Sequence, residues 1–396
     1  MINLRRNPFN NGTSSPLFTC ALAEEAQAFH AKLPGYAPTP LVQLKELAEF
    51  LGVKEVFVKD ESKRFGLNAF KVLGGSYALG KLLAEKLGVS LSDVDFSTVR
   101  EKLSEPLVIT TATAGNHGTG VAWAAREMGL KAVVFMPRGA ARSSVERIRN
   151  LGAECIVTDV NYDDTVRLAS STAQEKNWTL VQDTAWEGYE KIPTWISQGY
   201  TTMAAESLTQ LSQAGYATPT HLLLQAGVGA MAGGVLGYFA DACGADNFTA
   251  IISEPEAADC LYRSIGSDRG ERVAVAGDLD SIMAGLACGE VNPVTWDILK
   301  SAGRYYASVS DAVSATGMRI LGNPLGQDTR IVSGESGAIS IGLLYYLMTL
   351  DDQLVQTFRE ALQLDKHSVV LAFSTEGDTN PDRYRKIVWE GAWSGY

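Results

Sequence analysis

Histidine is scarce in this chain. His30, His117, His221 and His367 are the four in 396 residues. No two are spaced as ligands of one metal or set beside a nucleophilic serine or cysteine, so neither a metal centre nor a hydrolytic triad is expected. Cysteine is almost as sparse: Cys20, Cys155, Cys243, Cys260 and Cys288 form no CxxC. The odd count fits reduced thiols in a cytoplasmic protein, acting as small buried apolar side chains. Basic charge is short as well, with 34 Lys and Arg against 45 Asp and Glu and a net charge of −11. Without a dense basic cluster, neither nucleic acid nor an anionic membrane is an expected partner. The opening MINLRRNPFNNG has no apolar stretch of the secretory kind. One charge-free run, 222–240, is long enough to imitate a membrane span, but it carries five glycines. It divides more naturally into a strand, a glycine turn and a helix.

The remainder is ordinary globular composition, 46% apolar and 20% charged, in a length that suggests two domains or one with a large insertion. From residue 106 the pattern alternates. PLVITT reads as a strand, GVAWAAREMG as a helix stopped by Gly129, and KAVVFMP as a strand. SSVERIRNLG reads as a helix capped by Ser143 or Ser144 and stopped by Gly152, and AECIVTD as a strand. THLLLQAG, AMAGGVLGYFADACG and FTAIISEP repeat the strand–helix–strand order, and SVVLAFST is a last strand. The polar stretch 90–105 reads as a surface connection. Parallel strands joined by helices imply an α/β fold of doubly wound parallel sheets.

Ligands of open α/β sheets lie beyond the carboxyl ends of strands, and three loops fall there. QAGVGAMAGG (225–234) suits an anion: glycines let backbone amides converge, and the helix that follows presents its positive end. A plain strand-to-helix turn is the bland alternative. A dinucleotide site is another, because Glu254 ends the next strand roughly 20 residues on, although the glycine spacing is GxGxxxG. TATAGNHGTG (111–120) offers hydroxyls, amides, Asn116 and His117 at a helix start, which suits a carboxylate or a phenolic oxygen; a structural tie within its loop is the alternative for His117. STEGDTN (374–380) supplies Ser374 and Thr375.

Lys71 stands in FGLNAFKVLGGSYA (65–78), a run otherwise apolar, small or amide-bearing. Alone it reads as a lysine that snorkels to the surface. In a dry pocket its amine is expected to titrate low, because burial disfavours the charged form, and a neutral amine can form a Schiff base. With a phosphate cradle in the same chain, the economical ligand is pyridoxal 5′-phosphate (PLP). Lys71 then takes the aldehyde, the glycine loop takes the phosphate, and Ser374 or Thr375 meets the pyridine nitrogen.

At these positions the chain resembles fold type II PLP enzymes, the tryptophan-synthase-β-like group. NAFK (68–71) is similar to the lysine motif, GNHG (115–118, with Ala114 before it) to the substrate-carboxylate loop, GVGA (227–230) to the phosphate loop, and SGESGA (333–338) to the segment that follows it. The longer strings KDESKRFGLNAFK, NYDDTVRL, VQDTAWEGY, KIPTWI, LLQAGVGAMAGGVLGY, IMAGLACGE and STEGDT resemble the diaminopropionate ammonia-lyase family over nearly the whole chain. The resemblance implies α,β-elimination of 2,3-diaminopropionate to pyruvate and two ammonia by a homodimer. It implies a large PLP-binding domain of residues 1–88 and 192–396 and a smaller inserted α/β domain of residues 89–191. It implies catalytic roles for Lys71 and Asp183. Cofactor contacts would come from Lys71, Phe70, Asn116, Gly227, Val228, Gly229, Ala230, Ser374 and Thr375. Substrate contacts would come from Thr113, Ala114, Gly115, Asn116, His117 and Asp183, with no metal. Lys71 would take the α-proton of the L-isomer, and Asp183 would hold or protonate the departing β-amine. One position departs from the family pattern: Ala114 stands where an aspartate, thought to serve the D-isomer, is usual. That favours the L-isomer and keeps an L-serine or L-threonine dehydratase as the alternative.

Overall fold

The computed structural model describes residues 2–96, 98–103 and 105–395. Eleven strands among them form two sheets. The strands are β1 (Ile2–Arg6), β2 (Leu41–Gln43), β3 (Glu55–Asp60), β4 (Val108–Ala112), β5 (Lys131–Met136), β6 (Glu154–Val157), β7 (Thr179–Leu180), β8 (His221–Gln225), β9 (Thr249–Pro255), β10 (Tyr305–Val309) and β11 (Val369–Ser374). The larger sheet runs β1-β10-β9-β8-β11-β3-β2 and the smaller β6-β5-β4-β7. Every pairing in the smaller sheet is parallel. The larger is parallel through β10, β9, β8, β11 and β3, with β1 and β2 antiparallel at its edges. The doubly wound parallel expectation therefore holds for both sheets. The two antiparallel edges come from strands too short and too near the start of the chain to show in the pattern.

Period-two alternation sorts the core of the larger sheet. Phe57, Leu222, Leu224, Ala250, Ile252, Tyr306, Leu371 and Phe373 face one side and pack with Leu73, Val235 and Leu236. Val58, Leu223, Ile251, Ala307, Val370 and Ala372 face the other and pack with Val313, Ile339 and Leu343. Both faces are covered, which is why β8, β9 and β11 are buried at every residue and read as near-continuous apolar runs. The charge-free stretch 222–240 splits as expected into β8, a loop and the helix Ala230–Phe239. Among the described residues no helix is long and apolar enough to cross a membrane.

The helix Val72–Leu87 joins the two layers. It crosses Asn116–Glu127 where Gly120 has no side chain: a Cβ there would lie 2.8 Å from the backbone N and Cα of Val72. Gly199 gives the same close approach on the other side, 2.5 Å from the Leu73 carbonyl oxygen. Gly129 takes a positive φ after its helix, as expected. The helix Arg142–Asn150, however, starts before Ser143 and carries no side-chain cap. Its entry residue is Ala141, and Ser144 instead accepts from the Arg147 guanidinium. The connection at 90–105 is less superficial than its polarity suggests, since Leu91, Val94 and Val99 are buried; residues 97 and 104 of that stretch lie outside the described residues.

Before Lys71 the chain makes two left-handed residues, Phe65 (φ 49°) and Asn68 (φ 61°), a conformation that costs of order 1–2 kcal/mol at a residue with a side chain. A fully buried charge cluster holds that turn. Arg64 bonds Glu61 at 2.8 Å and Glu206 at 2.7 Å, and Lys59 bonds Glu206 at 2.7 Å.

Candidate active site

Lys71 immediately precedes the helix Val72–Leu87, and its Nζ donates to Asp183 Oδ2 at 2.7 Å. Asp183 comes from the segment after β7, so the pair bridges the two sheets. The contact corrects the expectation for the amine. Burial does push Lys71 down, but the facing carboxylate outweighs it and holds the ammonium above its ordinary value. For Asp183, burial favours the neutral carboxyl. The His117 ring and the Lys71 ammonium outweigh that, and it is held at about 2. Asp183 is thus an anion poised against a cation, both mostly shielded from water, with side-chain exposures of 13% and 23%.

His117 lies beneath this pair. Nε2 meets the Val181 carbonyl at 2.8 Å, and Nδ1 sits 3.8 Å from Asp183 Oδ2 with no hydrogen-bond partner. Burial lowers its pKa, so the ring is neutral at pH 7. It ties its loop to the segment that leads into Asp183. Thr113 Oγ1 accepts from the amides of Gly115 (2.9 Å) and Gly118 (3.2 Å), folding that loop back on itself. Ala114 at its tip is exposed. Asn116 opens the helix Asn116–Glu127 and donates from Nδ2 to Glu376 Oε2 at 2.5 Å.

The glycine loop is a cradle that side chains would fill. At Gly227 a Cβ would stand 3.2 Å from Leu286 Cα. At Gly229, where φ is +95°, it would stand 2.6 Å from Leu299 Cδ1. Gly233 N–H donates to the Gly229 carbonyl at 2.8 Å; the amides of Gly227, Val228, Gly229 and Ala230 precede that bond, at the helix end whose N–H groups lack intrahelical partners. The Val228 carbonyl is fixed from outside by the Asn292 amide at 2.8 Å. Glu254 does not face this loop. Its carboxylate accepts the Leu261 and Tyr262 amides at 2.8 and 2.7 Å, where it caps a neighbouring helix. A ribose-binding role, and the dinucleotide reading with it, therefore loses its acid.

The loop after β11 brings the remaining groups in. The Thr375 carbonyl accepts from Phe70 N–H at 3.0 Å, and the Phe70 ring packs 4.8 Å from Tyr200. Ser374 donates its hydroxyl hydrogen to Ser333 Oγ at 2.8 Å. Thr375 Oγ1 instead accepts from Gln225 Nε2 at 3.0 Å, which leaves its own hydrogen to donate. Three neighbours of the site escaped the sequence reading. Glu376 stands in STEGDTN (374–380), where the sequence suggests a role only for Ser374 and Thr375. Cys288 and Tyr162 carry thiol and phenol groups whose titration feels Asp183, burial raising both. They stand in NYDDTVRL and IMAGLACGE, where the resemblance gives neither of them a role.

A family model described as pyridoxal-phosphate dependent enzyme matches residues 32–356. The chain belongs to that family. This PLP-dependent enzyme is 54% identical over 390 residues to the diaminopropionate ammonia-lyase of Escherichia coli K12, covering 98% of this chain and 97% of that one. It is 50% identical to the diaminopropionate ammonia-lyase of Salmonella typhimurium, at the same coverage. The E. coli ammonia-lyase solved with D-serine superposes with a TM-score of 0.94 at 52% identity, covering 100% of this chain and 98% of that one. The same enzyme solved with an aminoacrylate–PLP azomethine reaction intermediate gives 0.92 at 52% identity, with the same coverage. Threonine deaminase isoform 2 of Solanum lycopersicum, 20% identical with a TM-score of 0.74 over 98% of this chain and 97% of that one, shares the fold. The residues present fit PLP: an interior amine at Lys71, and a cradle at Gly227 and Gly229 that a Cβ would fill.

Proposed function

We propose that this enzyme catalyses the PLP-dependent α,β-elimination of 2,3-diaminopropionate to pyruvate and two ammonia. The observation that carries the reading is the 2.7 Å contact of Lys71 Nζ with Asp183 Oδ2. Elimination of a β-amine needs one group to take a proton at Cα and another to manage the departing nitrogen, and these two face each other across the lobes. The likeness to named ammonia-lyases supports the same substrate. Lys71 would hold PLP covalently, the amides of Gly227 to Ala230 its phosphate, Phe70 and Asn116 its ring, and Thr375 Oγ1, whose hydrogen is free, its ring nitrogen. When bound, PLP supplies an electron sink that acidifies the α-C–H of the amino acid.

The chain's own groups do the rest. Lys71 Nζ would receive the α-proton of the L-isomer. Asp183 Oδ2, an anion over the working pH range, binds the substrate's β-ammonium where it departs. The amides and Thr113 hydroxyl of the loop 113–117 receive the carboxylate at a helix N-terminus, and neutral His117 keeps that loop against Asp183. Residues 89–191 form the inserted lobe that carries both the loop and Asp183, so its seating on the larger lobe excludes water from the pair. The methyl of Ala114 cannot accept a proton, so the face away from Lys71 has no base at that position and the L-isomer is preferred.

Product stoichiometry on both isomers tests the reading. Two ammonia per pyruvate from L-2,3-diaminopropionate is the expected result. Turnover of L-serine alone, with one ammonia per pyruvate, would make the enzyme a dehydratase. The D-isomer is expected to be slower by about 10²–10⁴, the usual worth of one positioned base, and Ala114→Asp is expected to raise D-isomer turnover more than it alters L. Equal rates on D and L by the parent would refute the stereochemical part.

A further inference from the structure

Glu376, in the loop after β11, is 6% exposed, yet its carboxylate is turned toward the site. Oε2 accepts Asn116 Nδ2 at 2.5 Å, and Oε1 accepts the amide of Ser336, in the first turn of the helix Glu335–Thr349, at 3.1 Å. Its backbone is pinned as well: the carbonyl accepts Gly334 N–H at 2.9 Å, and the residue bridges to Ala69, two before the lysine. Asn116 reaches it from the other lobe. Gly120, one turn on and on the same helix face, rests on the backbone of Lys71 and Val72. The Asn116 amide therefore hangs between the lysine segment and Glu376.

An amide side chain can present either its NH₂ or its oxygen to a neighbour, whereas an ionised carboxylate only accepts. A carboxylate beside Asn116 thus decides which way the amide faces. We infer that Glu376 is a positioning residue for the cofactor: it holds the Asn116 NH₂ in one orientation, so that the second N–H of that group is aimed at the PLP ring. The inference rests on the reading that Lys71 and Asn116 hold PLP. Glutamine at this position has one acceptor for two donors. Given to Asn116, its oxygen leaves an NH₂ against the Ser336 amide. Given to Ser336, it sets two NH₂ groups face to face and turns the Asn116 amide over.

The test is a double-mutant cycle on the PLP-loaded protein, read by the PLP dissociation constant and by the position of the visible absorption band. Glu376→Gln is expected to weaken PLP binding roughly ten-fold or more, the scale of one charge-assisted hydrogen bond, and to move the band. Asn116→Ala should do the same. Because Glu376 acts through Asn116, adding Glu376→Gln to Asn116→Ala should change the dissociation constant less than about two-fold. Multiplied losses in the double variant would show an independent, merely structural role and overturn the inference. So would a Glu376→Gln protein with the parent's affinity and band. A parent that binds no PLP would overturn the reading of the site and this inference with it. Should Glu376→Gln not fold, Glu376→Asp withdraws the carboxylate by about 1.5 Å and is read by the same outcomes.

Discussion

Asp183→Asn removes one charge from the centre of the site and leaves its shape, and its two consequences run in opposite directions. Unit charges 2.7 Å apart attract by about 6 kcal/mol at an effective dielectric constant of about 20. Desolvation of the two groups takes back roughly half, which agrees with the 3–5 kcal/mol typical of breaking a shielded pair. If about 3 kcal/mol of this favours the charged lysine, its loss lowers the titration midpoint of Lys71 by about 2 pH units. The direction follows from the structure: burial already pulls the amine down, and Asp183 is the leading group that pushes it up. The assay is pulse acetylation of the cofactor-free protein over a pH series, with the Lys71 peptide quantified by mass spectrometry. The variant's amine should become reactive at the lower pH, while elimination by the loaded variant falls by about 10²–10⁴. A labelling midpoint unchanged or raised in the variant would refute the claim that this ion pair governs the amine.

Two further outcomes concern the cradle and a buried acid. Gly229→Leu puts a side chain into a left-handed residue where Leu299 Cδ1 stands 2.6 Å from the new Cβ; equilibrium dialysis should show PLP bound at least ten-fold more weakly, and parental affinity would place the phosphate elsewhere. Burial, with the Glu376 charge adding to it, raises the Glu335 carboxyl from 4.5 to about 7 against the pull of Arg383. The folded chain therefore holds that proton up to about pH 7 while the unfolded chain releases it near 4.5. Stability from this group is present below 4.5 and falls by about 3 kcal/mol as pH rises through that window. Glu335→Gln should remove that fall in urea denaturation at pH 4.5 and 8, and equal pH dependence in variant and parent would contradict it.

The parallel core strands and the two glycine-bearing loops were legible because their causes are local. Buried strands read as apolar runs, and a glycine between strand and helix marks a backbone turn. Lys71 stood out for the same reason, as one cation in an apolar run. What the sequence concealed depends on meetings between distant segments. The Lys71–Asp183 contact spans 112 residues, so a lysine expected to titrate low is instead held charged. Ser374 and Thr375 read alike in the sequence, and only the structure reveals that the Ser374 hydroxyl hydrogen is spent on a serine 41 residues away. Glu254 sat where a ribose-binding acid belongs by count, and only its two backbone partners reveal a cap. The Ser143/Ser144 cap failed because the helix begins one residue earlier, at Arg142.

Strand order also dictates how the molecule emerges from the ribosome. The smaller sheet is made of residues 108–180 in one uninterrupted stretch, so it can close as soon as that stretch is synthesised. The larger sheet cannot. β1 pairs only with β10, and β3 joins β8 only through β11, partners roughly 300 residues later in the chain. At about 5–20 residues per second, the early strands wait on the order of 15–60 s for them. Closing such long loops is also what slows folding. The smaller sheet is thus the first of the two to have all its strands synthesised. Lys59 and Arg64 meanwhile wait for Glu206, the carboxylate that pairs with both of them in the folded chain.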